Sequence, residues 1–330
     1  MTRVKIVSAF VHSTVLRALF SLLLVFVLGL IFNADGAFLK WDTHRDMLRQ
    51  VSVFGILACG MTFVIISGGI DLSVGSILGF AAVLFSLFSI HWGWSPLLAI
   101  GLTLVLGMIA GSISGIFISK LKIQSFIATL AMMVFARGMA KLVSGGQKIS
   151  TAVQLPDGNY QYVDIPQIYD LLSAKVLNEN VAVVTLVMLA CIIFCWIVLA
   201  KMRWGRHVYA LGGNEEAARF AGIPVNATLI LVYALSGLFC AIAGICQAAQ
   251  ELQGDPEAGS TYELSAIAIV VIGGTSLKGG SGSIWLTLLG ILIIGYLEKI
   301  LSINAVGEET RLMLTGAIII SAVLFQIKKF

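Results

Sequence analysis

Residues 18–32, 181–200 and 284–294 each run without a single charged side chain. Such a run crosses, or nearly crosses, a hydrocarbon layer of about 30 Å. Within that layer the backbone has no water to bond, so each run has to close its hydrogen bonds on itself as a helix. Charged residues make up only 12% of the 330 and hydrophobic ones 58%, against about a quarter charged in an average soluble domain. A soluble chain so poor in charge could not cover its own surface. The sequence therefore reads as an all-α integral membrane protein, one transmembrane domain over 1–330.

Apolar runs separated by polar breaks predict about ten spans, at about 15–33, 51–67, 73–90, 96–118, 124–144, 180–200, 226–250, 261–273, 283–301 and 311–327. The run after Arg3, Lys5 and Arg17 reads as an uncleaved first span rather than a removable leader. Lysine and arginine set the orientation. With the N-terminus inside, Lys120, Lys122, Lys201, Arg203, Arg206, Arg219 and Lys278 fall on the cytoplasmic side. Nearly all the acids fall outside; Glu215 and Glu216 are the clear exceptions.

Several chemistries are excluded. The five cysteines all lie in apolar segments, where small packing residues are expected. The four histidines are scattered and form no ligand spacing. Residues 274–281, GTSLKGGS, come close to a phosphate-binding loop, but Gly280 stands where the lysine is required and Lys278 is two residues early. No nucleotide is expected on this chain in that way. There is no basic aromatic face for nucleic acid and no metal site.

Candidate transport residues sit at breaks in the apolar pattern. GGIDLSVGS (68–76) holds Asp71 between two spans. Either Asp71 caps the next helix from a loop in the inner headgroups, accepting from Ser73 or Val74, or Asp71 and Ser73 present oxygens to a polar solute. GGTSLKGGS (273–281) echoes the same GGxxLxxGS pattern, by chance or as a duplicated element. Gln124, Ser125 and Thr129, beside Phe126, open the fifth span; their oxygens either line a path or satisfy neighbouring backbone. Arg137 lies well inside that span and needs a partner or water; either it pairs with Glu263, the expected partner, or it snorkels to the outer interface. Gly107, Gly111 and Gly115, like Gly75 and Gly79, repeat every four residues and read as helix-packing faces.

One stretch breaks the pattern more sharply. GGNEEAARFAGIP (212–224) is a short charged segment within the basic loop 201–225. Asn214 is a good helix N-cap, Glu215 and Glu216 suit the first turn, and Gly222 and Pro224 stop the helix. Ala217, Ala218, Phe220 and Ala221 would give it a small apolar face with one aromatic knob.

WGRHVYALGGNEEAARFAGIPV (204–225), ISGGIDLSVGS (66–76), LKIQSFIATLAMM with a following ARG (121–138) and YELSAIAIVVIGGTSLKGGSGSI (262–284) stand in this order. Together they resemble the permeases of bacterial sugar-type ATP-binding-cassette importers, over about 50–325. That resemblance implies an importer permease fold with discontinuous segments, in the inner membrane, with both termini cytoplasmic. It implies a second permease subunit, identical or a close paralogue, a cytoplasmic ATPase that binds ATP and magnesium, and a periplasmic sugar-binding protein. The segment formed by Asn214, Glu215, Glu216, Ala217, Ala218, Arg219, Phe220 and Gly222 would be the coupling helix that sits in the ATPase. Ser265, Trp285 and Glu298-Lys299 depart from the family's usual residues. Permeases of branched-chain amino-acid or nucleoside importers share the architecture. An ion-coupled carrier using Asp71 and Arg137 is a reading from another class.

Overall fold

The structure, a computed structural model, describes residues 14–154, 158–307, 309–314, 316, 317 and 320. Eight helices among these residues are long and apolar enough to cross a membrane, and a further apolar helix is shorter. In chain order they are α1 (Thr14–Ile31), α2 (Trp41–Ile66), α3 (Val74–Ser86, prolonged by a wide turn, Leu87–His91), α4 (Pro96–Ser119), α5 (Ser125–Ser144), α6 (Gln167–Ser173) and α7 (Val183–Lys201), then α8 (Arg203–Gly213), α9 (Glu215–Phe220), α10 (Val225–Glu251), α11 (Tyr262–Gly273) and α12 (Ile284–Ile303). The chain is an all-α multi-pass membrane protein. The span predicted at 311–327 lies for the most part outside the described residues.

The polar stretch before the second predicted span is helical as well. α2 begins at Trp41, with Asp42 in its first turn paired to Arg45. At 1.5 Å per residue its 26 residues reach about 39 Å, more than the hydrocarbon needs. Hydropathy marks where a helix enters lipid and not where it starts. The long polar segment after α5 folds into a hairpin, β1 (Ala152–Gln154) with β2 (Tyr160–Tyr162), then α6 and a second short hairpin, β3 (Lys175–Val176) with β4 (Val181–Ala182). Tyr169 of α6 is fully buried, and its hydroxyl donates to Ser86 Oγ at 2.8 Å.

α10 is the central post and packs against α2, α3 and α4. Its closest partner is α4, because Gly107, Gly111 and Gly115 leave no side chain in the seam. A Cβ at Gly107 would strike Gly237 and Ala241, one at Gly111 the Tyr233 carbonyl, and one at Gly115 the Ile230 backbone. Small residues that let backbones touch are how helices associate where lipid removes the hydrophobic drive.

The end of the bundle carrying α8 and α9 is called here the near end. α2, α4 and α7 run toward it; α5, α10 and α12 run away from it. α3 and α11 do neither in full. Between α2 and α3, residues 67–73 are not helical. Asp71 bonds Ser236, eleven residues into α10, so this segment has climbed about 16 Å from the near end before α3 starts. From the opposite end, residues 252–261 descend to meet it: a Cβ at Gly75 would fall on the Gly259 carbonyl. α11 starts there, where Tyr262 packs at a tilt against Phe54 with centroids 4.4 Å apart, and returns to the near end. The first turns of α3 and α11 thus adjoin at mid-depth. Gly75 and Gly79, expected to pack helix on helix, instead receive this descending loop. A Cβ at Gly79 would lie 2.6 Å from the Ala258 carbonyl.

Candidate coupling site and translocation path

α9 forms where local chemistry dictates. Asn214 is extended (φ −164°), and its side chain accepts from Ala217 N at 2.9 Å. Glu215 and Glu216 fill the first turn, and Gly222 leaves the helix at φ 78°. Glu215 Oε1 accepts from Arg219 at 2.7 Å, one turn on, and pairs with Lys122 at 3.3 Å across the α4–α5 turn. Phe220 is 92% exposed. Ala218 is not part of the outward face: it is buried in the main core. One side of so short a helix must rest on the bundle, and Ala218 is the residue small enough to do so. The outward apolar face is Ala217, Phe220 and Ala221.

Beneath α9 three stretches of backbone meet without side chains. Gly280 N donates to Ile66 O at 2.9 Å. A Cβ at Gly212 would overlap the Ile66 carbonyl, and one at Gly280 would lie 2.8 Å from Gly213 Cα. Gly279 and Gly280 hold positive φ, 81° and 70°, a region open to glycine at no steric cost. The two GGxxLxxGS stretches are therefore neighbours, pressed together by Gly212. Tyr209 of α8 adds a hydrogen bond to Gly282 O at 2.9 Å. Tyr209 stands outside the spans, and burial pushes its phenol up from the usual value.

Asp71 is fully buried at mid-depth, not in a loop tip at the headgroups. One carboxylate oxygen accepts from Ser73 N at 2.9 Å and Ser73 Oγ at 2.6 Å; the other accepts from Ser236 Oγ at 2.7 Å. With three donors on its carboxylate, Asp71 fastens the unwound segment to α10 through Ser236. Ile70 is tied on both sides of its peptide: its N–H donates to Ser125 Oγ at 3.4 Å, and its carbonyl accepts from Thr129 Oγ1 at 3.3 Å. Thr129 is buried, whereas Gln124 and Phe126 are exposed. Residues 67–69, Lys122, Gln124, Ser125, Glu215 and Tyr233 surround a polar cleft of about 220 Å³ at the near end.

The expected Arg137–Glu263 pair is not formed. Arg137 donates instead to the carbonyls of Pro256 and of Ala258, the latter at 2.8 Å. The descending loop exposes carbonyls at membrane depth, and these need donors more than Glu263 needs a counter-charge. Lys141 with Glu257 at 2.5 Å and Lys148 with Asp255 at 2.9 Å complete the clamp. The bond to Asp255 raises the Lys148 pKa. Glu263 Oε2 lies over Gly75.

Lys122, Ser236 and the Gly212–Gly280 contact carry this arrangement, and sequence reasoning did not single them out. Lys122 reads as one of many basic loop residues; its signal is the αL conformation, visible only in the backbone (φ 56°).

A multi-span bundle with two interrupted helices and a capped peg at one end defines a transport permease. The chain belongs to the family described as the permease component of the branched-chain amino acid transport system, which matches residues 45–323. It is 38% identical over 309 residues to the ribose import permease protein RbsC of Escherichia coli K12, covering 93% of this chain and 92% of that one. To the Bacillus subtilis RbsC it is 39% identical over 306 residues (92% and 91%), and to the xylose transport system permease protein XylH of Escherichia coli K12 33% over 339 residues (88% and 86%). No solved structure gives a significant match. The chain is a transport subunit of an ATP-binding-cassette importer and not an enzyme; permeases of this kind work with an ATPase and a solute-binding protein.

Proposed function

We propose that the chain carries a monosaccharide or related polyol inward across the bacterial inner membrane, with α9 as the coupling helix. The observation that carries this reading is Phe220, almost wholly exposed at the tip of a capped helix that follows directly on Gly212 and Gly213, the residues packed against both interrupted segments. An aromatic knob on a short rigid rod suits a groove in a separate ATPase. Asn214, Glu215, Glu216, Ala217, Arg219 and Gly222 shape and orient that rod, and Ala218 seats it. The names of the ribose and xylose relatives favour a sugar.

In this reading the near end is cytoplasmic, both termini lie on that side, and ATP with magnesium binds only to the partner ATPase. The 274–281 turn supports the last point: Gly279 and Gly280 are packed against Gly68, Gly212 and Gly213, where a phosphate would have to enter. A second permease subunit, identical or a close paralogue, faces this one across the path. Support comes from Thr261, which is exposed beside the mid-depth start of α11, where lipid offers polar groups no partner. The path would run along the open side of α5, past Gln124, Ser125 and Phe126, toward Glu263 and Arg137. The family's printed description favours a second reading, an amino-acid importer of the same architecture.

The test is uptake into proteoliposomes holding the permease, its ATPase and its binding protein, with ribose, xylose and leucine as labelled solutes. ATP-dependent sugar uptake is expected, together with cross-linking of Phe220→Cys to the ATPase. Leucine as the only solute moved selects the second reading. Uptake driven by a proton gradient without ATP overturns both.

A further inference from the structure

We propose that Lys122 is the positioning residue through which α9 moves the path: the Glu215–Lys122 ion pair transmits its displacement to α5, and from there to the unwound segment 67–73. The inference rests on the coupling role of α9.

The pair joins elements that are otherwise separate. Glu215 opens α9; Lys122 lies in the short turn between α4 and α5, three residues before α5 starts. A turn this short passes a movement of Lys122 to the first turn of α5. Lys122 also adopts a left-handed backbone (φ 56°), a conformation that non-glycine residues hold only where the surroundings enforce it. That geometry, with the pair at 3.3 Å, presents the ammonium to Glu215.

α5 suits the task of a moving part. Its apolar window is 28% buried, against 78% for α10 and 83% for α2. Most of its apolar surface lies outside the packing of this chain, and Arg137 and Lys141 tie its far half to the descending loop. Its first two turns touch the unwound segment: Ser125 Oγ accepts from Ile70 N at 3.4 Å, and Thr129 Oγ1, which also donates to Ser125 O at 2.9 Å, lies 3.3 Å from the Ile70 carbonyl. The next residue, Asp71, is bolted to Ser236 of α10. A pull on α5 is therefore delivered to Ile70 against a fixed point one residue away. The charges around Glu215 are Lys122 and Arg219, both within bonding distance of Oε1; Arg219 belongs to α9 itself and moves with it. Lys122 is the partner outside the peg.

Both partners are about half exposed, and exposed ion pairs contribute little to stability. The fold should survive loss of the pair, so a defect reports on coupling. The experiment uses the complete transporter in proteoliposomes, with variants K122M, K122E and K122R. It reads sugar taken up per ATP hydrolysed, thermal stability, and the yield of the Phe220→Cys cross-link to the ATPase. K122M and K122E should lower uptake per ATP about tenfold, within the range of coupling between two sites, with cross-link and melting temperature unchanged. K122R should keep most of the ratio. A wild-type ratio in K122M overturns the proposal, as does a K122R variant no better than K122M. Absence of the cross-link in the otherwise unaltered protein overturns the coupling role of α9 instead.

Discussion

The carbonyl of Ile66 accepts a hydrogen bond from the amide of Gly280, 2.9 Å away, across 214 residues of chain (280 minus 66). That bond joins the end of α2 to the turn between α11 and α12, and Gly212, at the foot of the peg, fills the remaining space. Whatever displaces Gly212 displaces both interrupted segments at once.

Gly212→Ala should break this junction. The added methyl would overlap the Ile66 carbonyl, which is backbone and cannot rotate away. Overpacking of this kind costs about 1–3 kcal/mol. The expected result is a lower melting temperature with ATP-driven uptake lost; both are read on the purified transporter.

Ala218 and Phe220 stand on opposite sides of α9 and should part cleanly. Ala218→Leu forces a larger side chain into a buried position and should cost about 1–3 kcal/mol of stability. Phe220→Ala should change stability by less than about 0.5 kcal/mol, as exposed substitutions do. It should still weaken ATPase binding by more than about 1 kcal/mol, the loss typical of an aromatic anchor. Thermal melts and a pull-down with the ATPase separate the two.

Asp71→Ala removes the acceptor for three hydrogen bonds and leaves the Ser73 amide and Ser236 hydroxyl buried without it. A loss of about 3 kcal/mol or more is expected, seen as poor expression and a depressed melt. Asp71→Asn keeps one oxygen and should recover much of the expression. Normal folding of Asp71→Ala with uptake alone abolished would return Asp71 to the path.

Arg137→Met should free the descending loop. The carbonyls of Pro256 and Ala258 lose their donor at membrane depth, at a cost of about 1–3 kcal/mol. A cysteine at Ser260 should then react faster with a water-soluble thiol reagent.

The peg was legible in the sequence because capping is local: Asn214 reaches only to Ala217, and Gly222 ends what Asn214 begins. The direction of Ala218 was not, because a helix of six residues has no periodicity to reveal which side is inward. The apolar runs announced most spans, yet not that α2 starts at Trp41, since a helix continues past the lipid where hydropathy falls silent. Asp71 could be named as costly but not placed. Its anchor, Ser236, is 165 residues away and looks like any small residue of a packing face. The same holds for Arg137, whose obvious counter-charge was Glu263 and whose real partners are backbone carbonyls that no side-chain pattern marks.

Those carbonyls also impose an order on biosynthesis. They are translated 119 and 121 residues after Arg137. While the ribosome is still making α7 and α10, the guanidinium has nothing to hold and must stay hydrated. Until the later half of the chain arrives to receive it, α5 has to keep that guanidinium within reach of water or headgroups, as long arginine side chains do near a membrane interface.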